Sequence, residues 1–328
     1  MTRPSLTLFR TLWGVVRDDA GWKTLQDTLV DIKAQGFQGV ECSVKLAYTV
    51  KGFVEYMREL DLLWVAPIVF SSGPIDGCDP FIDGDLRAGP GSSWKTQLSA
   101  WQNQISRVER LGLPPSKITL INSFSGHDAM EHADAVSLLK AMQDWFKSSS
   151  LGQSRARLLH ETHRGRILYS PWVARRIVRD VPEIGLVADF SHWTCVAERN
   201  PPAADISAAA SNNDDIGRDM LHEAILNIIP NVYHVQGRVG YDQGPQVSDP
   251  RLEVWQPHLA GFEYWWHLIF KNQLESGRTQ VFTFAPEHGP PPYQQGEPDD
   301  DLLRKVDSIN VWLANRQRLA FNNLVDNC

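Results

Sequence analysis

The chain has 328 residues, 42% of them hydrophobic, and a formal net charge of −7. This composition supports a large buried core and excludes a disordered chain. The acidic balance provides no basic field for nucleic acid or anionic lipid, and no apolar run reaches the ~20 residues of a membrane span. Cys42, Cys78, Cys195 and Cys328 lie far apart, with no CxxC pair and no secretory leader. A reduced, cytoplasmic protein acting on small molecules is therefore expected.

Strand and helix patterns alternate along the chain. Residues 6–15 (LTLFRTLWGV) read as a strand, and 22–36 (WKTLQDTLVDIKAQG) as a helix ending at Gly36. The next strand, 37–44 (FQGVECSV), leads into one helix over 47–60, and a third, 62–70 (LLWVAPIVF), precedes a Gly/Pro/Asp-rich stretch and a helix over 94–112. A fourth strand at 117–124 (KITLINSF) is followed by a helix over 129–148. Four more strands lie in RLLHETHRGR, IGLVADFSHW, NVYHVQGRVG and VFTFAPEHGP, with helices near 171–180, 215–228, 257–275 and 299–318. Eight such units predict an α/β fold, a (β/α)8 TIM barrel, over residues 1–328 as one domain. An open doubly wound sheet shares the alternation, but no GxGxxG follows the first strand.

The long irregular segments 71–93, 193–214, 236–256 and 288–298 all follow strands, so they crowd the carboxyl-terminal face, where barrel active sites form. The first two are expected to close as a lid. The last four strands each end on a metal-competent side chain: Glu161, Asp189, His234 and Glu287. In a closed barrel such positions converge, and three carboxylates with one imidazole suit a divalent cation. His192, three residues past Asp189, and Arg238, four past His234, are placed to hold substrate oxygens. His163, Arg164 and Arg166 add positive charge beside Glu161, which suits a carboxylate or phosphate. Glu41 ends the second strand, with Lys45 shortly after it. His127 follows the fourth, and Trp13 and Trp193 are candidates for an apolar wall against a sugar. His288 and Tyr293 lie in the eighth loop. Trp265 and Trp266 on the seventh helix are read as a subunit interface, so a homo-oligomer is expected.

The order Glu161, Asp189-x-x-His192, His234 and Glu287 resembles the xylose-isomerase-like TIM barrels. That superfamily comprises sugar isomerases and epimerases, inosose and dehydroshikimate dehydratases, and endonuclease-IV-type enzymes. FQGVE, INSFSGHD and HVQGRVGYDQGPQVSDPR carry the resemblance further, and it spans essentially the whole chain. It implies one divalent metal (Mn2+, Mg2+ or Co2+, with Zn2+ also able to bind) on Glu161, Asp189, His234 and Glu287. Substrate would be held by His192, Arg238, His127, Arg164, Trp13 and Glu41. It further implies Glu161 and Glu287 as the catalytic acid/base pair of an isomerase or epimerase acting through an enediolate on a sugar, polyol or cyclic hydroxy-acid. The alternative is a metal-dependent lyase of the dehydratase type. The segment HETHRGR and the short step from His234 to Arg238 depart from the ketohexose epimerases. The nuclease class is disfavoured because strands one to three lack its histidines.

Overall fold

The computed structural model describes residues 3–13, 15, 24–69, 92–154, 156–202, 216–279, 281–297 and 299–327. Most of the two segments expected to form a lid, 71–91 and 203–214, lies outside the described residues. Among those described, eight parallel strands close into a barrel in sequence order, β8 pairing with β1. The strands are β1 Ser5–Thr11, β2 Gly39–Glu41, β3 Leu63–Val69, β4 Ile118–Phe124, β5 Arg157–Glu161, β6 Leu186–Ala188, β7 Val232–Gly237 and β8 Val281–Pro286. The expected (β/α)8 barrel is thus observed.

The helices are α1 Leu25–Ala34, α2 Val44–Thr49, α3 Phe53–Glu59, α4 Trp94–Arg110, α5 His132–Ser148, α6 Ser150–Gln153, α7 Pro171–Asp180, α8 Ser191–Ala197, α9 Ile216–Ile228, α10 Gln256–Ser276 and α11 Asp300–Asp326. Their starts follow local chemistry. Thr24, Ser93, Ser170 and Asp299 each accept a first-turn amide with the side chain, and Pro171 follows its cap at the first helical position. The single helix expected over 47–60 is instead two, because Gly52 adopts φ 87° and breaks the run. The strand read over 6–15 stops at Thr11, leaving Trp13 in a turn.

Strand alternation separates two apolar layers. Phe9, Val65, Leu120, Leu159, Val187 and Ala285 fill the barrel interior, while Leu8, Val40, Trp64, Ile121, Leu186 and Val235 face the helices. Two bulges set which side chains point inward. Trp64 pairs with Ile118 but Val65 with Leu120, and Leu186 pairs with Val232 but Val187 with His234. The extra residues Thr119 and Tyr233 shift the alternation by one, placing Asn122 and His234 on the interior side.

Two expectations about tryptophan are overturned. Trp265 and Trp266 are fully buried within the chain, against Phe190, Phe262 and Phe284, with Trp265 Nε1 donating to His222 Nδ1 at 3.1 Å. They pack α10 on the barrel and form no exposed interface. Trp193 is also buried, stacked on Phe190 and donating to the Leu168 carbonyl at 2.8 Å, so it lines no substrate wall.

His160 faces outward from β5, fully buried, with Nδ1 2.7 Å from Ser125 Oγ. Burial lowers its pKa to about 3. The imidazole stays neutral in the fold, whereas the unfolded chain takes up a proton below about pH 6.5. Its contribution is therefore fully present above pH 6.5 and is lost as pH falls toward 3. In urea unfolding, wild type should lose about 2 kcal/mol more than His160→Asn between pH 7 and pH 5; equal losses would contradict this assignment.

Candidate active site

The carboxyl ends of β5 to β8 bring four charged side chains into one buried cluster. Glu161 closes β5, and Asp189 and Glu287 directly follow β6 and β8. Arg238 follows β7 and is almost fully buried. Its NH2 donates to Asp189 Oδ2 and, at 3.2 Å, to Glu287 Oε2, while Nε lies 3.2 Å from Ser191 Oγ. Asp189 is fixed from its other side by Ser191, whose amide and hydroxyl donate to Oδ1 at 3.0 and 2.5 Å. Its backbone exchanges two hydrogen bonds with the Thr162 hydroxyl. The guanidinium lies 4.5 Å from the ring centre of Tyr293 and 5.7 Å from that of Trp13, which themselves meet edge to face. Arg164 covers Tyr293 at 5.4 Å.

A deeper polar layer lies beneath. Glu41 Oε1 accepts from Gln236 Nε2 at 2.8 Å and from Asn122 Nδ2 at 3.3 Å, and the same Asn122 nitrogen donates to Glu161 Oε2 at 2.6 Å. His234 belongs to this layer. Its Nδ1 is 2.9 Å from Thr283 Oγ1, and the Thr283 proton goes to the Tyr233 carbonyl at 3.0 Å. His234 Nδ1 must then be the donor, and Nε2 carries a lone pair 3.9 Å from Glu41 Oε2.

Burial pushes the Glu161 carboxyl well above the usual carboxylate range, with Glu287 and Asp189 adding to the rise. Burial does the same to Glu287, although the Arg238 guanidinium pulls the other way. His163 and His192 are held well below the usual imidazole range, chiefly by burial and then by neighbouring positive groups. Two carboxyls of raised proton affinity thus lie beside two imidazoles whose proton affinity is lowered, an arrangement in which a carboxyl can hold and release a proton.

The site residues expected from sequence separate into groups. Glu161, Asp189, Glu287, His192, Arg238 and Trp13 are in the cluster, and Arg164 joins it through Tyr293. Glu41 and His234 lie in the deeper layer. His127, in the turn after β4, has no hydrogen bond or ion pair to the cluster among the described residues. His288 is tied instead to Asn310 and Gln294, and Lys45 sits on α2. Asn122, Gln236, Thr283 and Ser191 escaped sequence reading. Gln236, two residues beyond His234 on one strand, was the one with a legible signal.

The donor set fits a cation. Glu41 Oε2, Glu161 Oε1, His192 Nδ1, His234 Nε2 and Gln236 Oε1 are buried and find no hydrogen-bond partner, an arrangement that is costly without a ligand. Among the described residues, the metal-competent group that converges is Glu161, His163 and His192, each offering one donor atom within 4.8 Å of the others. Of the four ligands expected from sequence, Asp189 and Glu287 are linked through Arg238, and His234 faces Glu41.

No protein-family model matches the sequence, and no curated protein matches it. Solved structures resemble it in fold. A D-psicose 3-epimerase, determined in the presence of D-fructose, aligns with TM-score 0.50 and 13% identity over 97% of this chain and 99% of its own. The IOLI protein with a bound zinc atom aligns with TM-score 0.51 and 11% identity over 94% of this chain and 98% of its own. At these identities the likeness shows a shared (β/α)8 barrel fold. No helix among the described residues is long and apolar enough to cross a membrane.

Arg238 is the counter-ion for two buried carboxylates. Arg238→Ala should cost about 3–5 kcal/mol in chemical unfolding at pH 7. Lower pH, by protonating Glu287, whose proton affinity is raised, should narrow the gap to wild type. An unchanged midpoint would show that the charges are neutralised otherwise.

Proposed function

We propose that the protein is a divalent-metal-dependent isomerase or epimerase acting on a sugar- or polyol-derived substrate through an enediolate. The observation that carries this reading is the pair Glu161 and Glu287, two buried carboxyls whose proton affinity is raised, set beside a buried guanidinium at the barrel mouth. A group with raised proton affinity can take a proton from carbon and return it near neutral pH. The D-psicose 3-epimerase and the zinc-bearing IOLI protein share the fold and are consistent with this chemistry.

Substrate enters over Trp13 and Tyr293, whose rings form an apolar wall next to Arg238. Arg238 NH1, buried and without a partner, is the donor for a substrate oxygen or carboxylate. Glu161 and Glu287 move the α-proton from opposite sides. Return to the neighbouring carbon isomerises, and return to the opposite face epimerises. A bound divalent cation supplies a Lewis acid that polarises the substrate carbonyl and its adjacent hydroxyl. It is anchored at Glu161. Of the ligands expected from sequence, Glu161, Asp189, His234 and Glu287, Glu161 is the one that also belongs to the converging metal-competent group with His163 and His192. The cation is one of Mn2+, Mg2+, Co2+ or Zn2+.

Two outcomes test the reading. Glu161→Gln should lower Mn2+ affinity at least about tenfold, measured by calorimetry after anaerobic metal removal, since a carboxylate ligand is lost. Glu287→Gln, supplied with excess Mn2+, should bind a substrate analogue yet exchange the substrate α-proton with heavy water about 10²–10⁴-fold more slowly by NMR. The screen should span sugars, inososes and cyclic hydroxy-ketoacids. Wild-type exchange in Glu287→Gln would assign the proton to another group. Loss of water in place of isomerised product would establish the lyase alternative.

A further inference from the structure

We propose that the cation is held by Glu161, His163 and His192 as a facial two-histidine, one-carboxylate site, with Asp189 behind it as the orienting carboxylate and His234 outside it. This rests on the reading that a divalent cation binds at this barrel mouth and names the residues that hold it there. The three donor atoms lie within 4.8 Å of one another, and facial metal–ligand bonds of ~2.1 Å meeting near 90° would draw them to ~3 Å apart. Small side-chain rotations complete the geometry.

The hydrogen bonds around the two imidazoles fix which nitrogens are free. His163 Nδ1 is 2.5 Å from the Arg164 carbonyl, which only accepts, so Nδ1 carries the proton and Nε2 the lone pair. His192 Nε2 has two neighbours at 3.4 Å, Arg238 NH2 and Asp189 Oδ2. The two protons of Arg238 NH2 are already directed at Asp189 and Glu287. His192 Nε2 is thus occupied by these two neighbours, and Nδ1, buried and without a partner, is the ring nitrogen left free. A ligating histidine whose other nitrogen donates to a carbonyl or carboxylate is the usual supported arrangement of a metal site. His163 has it through the Arg164 carbonyl, and His192 Nε2 lies 3.4 Å from the Asp189 carboxylate.

The carboxylate is prepared in the same way. Asn122 Nδ2 binds Glu161 Oε2 at 2.6 Å, and Oε1 is buried without a partner. His234 has a free lone pair as well, but its proton is committed to Thr283 and its Nε2 faces Glu41 in the deeper layer. The chain produces the triad from two short segments, Glu161-x-His163 at the end of β5 and Asp189-x-x-His192 entering α8. A facial triad would leave its remaining positions for substrate oxygens, and Arg238 NH1, buried and without a partner, is a donor available to one of them. Two imidazoles in place of one shift preference away from Mg2+ toward Mn2+, Co2+ or Zn2+.

The test uses the full-length protein loaded with Mn2+ or Co2+. Pulsed electron paramagnetic resonance of the wild-type Mn2+ complex should show nitrogen couplings from two imidazoles. His163→Phe and His192→Phe should each remove one coupling and weaken Co2+ binding at least about tenfold by calorimetry, while His234→Phe keeps both couplings and near-wild-type affinity. Asp189→Asn should retain the two couplings with weakened affinity. A single coupling in wild type, kept in His163→Phe and lost in His234→Phe, would overturn the proposal while leaving the metal-dependent reading in place. Failure of wild type to bind Mn2+ or Co2+ at all would overturn both. The wild-type spectrum decides the coupling count even if a variant does not fold.

Discussion

A single buried guanidinium makes the rest of this site tenable. Glu161, Asp189 and Glu287 are brought within a water-poor barrel mouth, where unpaired carboxylates are among the costliest groups a fold can contain. Arg238 spans two of them, and the rings of Tyr293 and Trp13 cover its face. Burial, with repulsion from the neighbouring carboxylates adding to it, raises the proton affinity of Glu161 and Glu287. In the proposed reading, a cation arriving there would relieve that repulsion and the perturbed carboxyls would carry the proton transfer.

The barrel supplies the convergence that this arrangement requires. Pairing of β8 with β1 closes the sheet, so the ends of β5, β6, β7 and β8 are presented around one axis instead of along an open edge. Beneath the charged ring, Glu41, Asn122, Gln236 and His234 form a polar floor, and below that Phe9, Val65, Leu120, Leu159 and Val187 fill the interior. The floor is more than packing. Asn122 binds one oxygen of Glu161 and leaves the other, also buried, without a partner, so strand β4, with no charged residue of its own at the site, determines which carboxylate atom is free.

The tryptophans show how far composition can mislead. Trp265 and Trp266 read as interface residues because α10 is remote from the catalytic face. The barrel needs large aromatic side chains between helix and sheet, and Trp266 meets Phe284 of β8 in just that layer. Trp13, by contrast, sits where β1 gives way to a turn and is placed against Tyr293 beside Arg238. Position relative to a strand end, more than residue type, separates a packing aromatic from one at the site.

The linear sequence by itself determined the succession of eight strand–helix units, the barrel they build and the strand ends that carry Glu161, Asp189 and Glu287. These follow from local apolar periodicity and from the carboxylates that interrupt it. The tertiary structure alone decided which neighbours those carboxylates meet. Bulges at Thr119 and Tyr233 turned Asn122 and His234 inward, and a bulge depends on the register of two paired strands, which neither strand encodes alone. Gly52 divided one expected helix into α2 and α3 by its left-handed backbone. The bridging of Asp189 and Glu287 by Arg238, and the approach of His163 to His192, join side chains from different strand ends. Those distances are fixed only when the sheet closes.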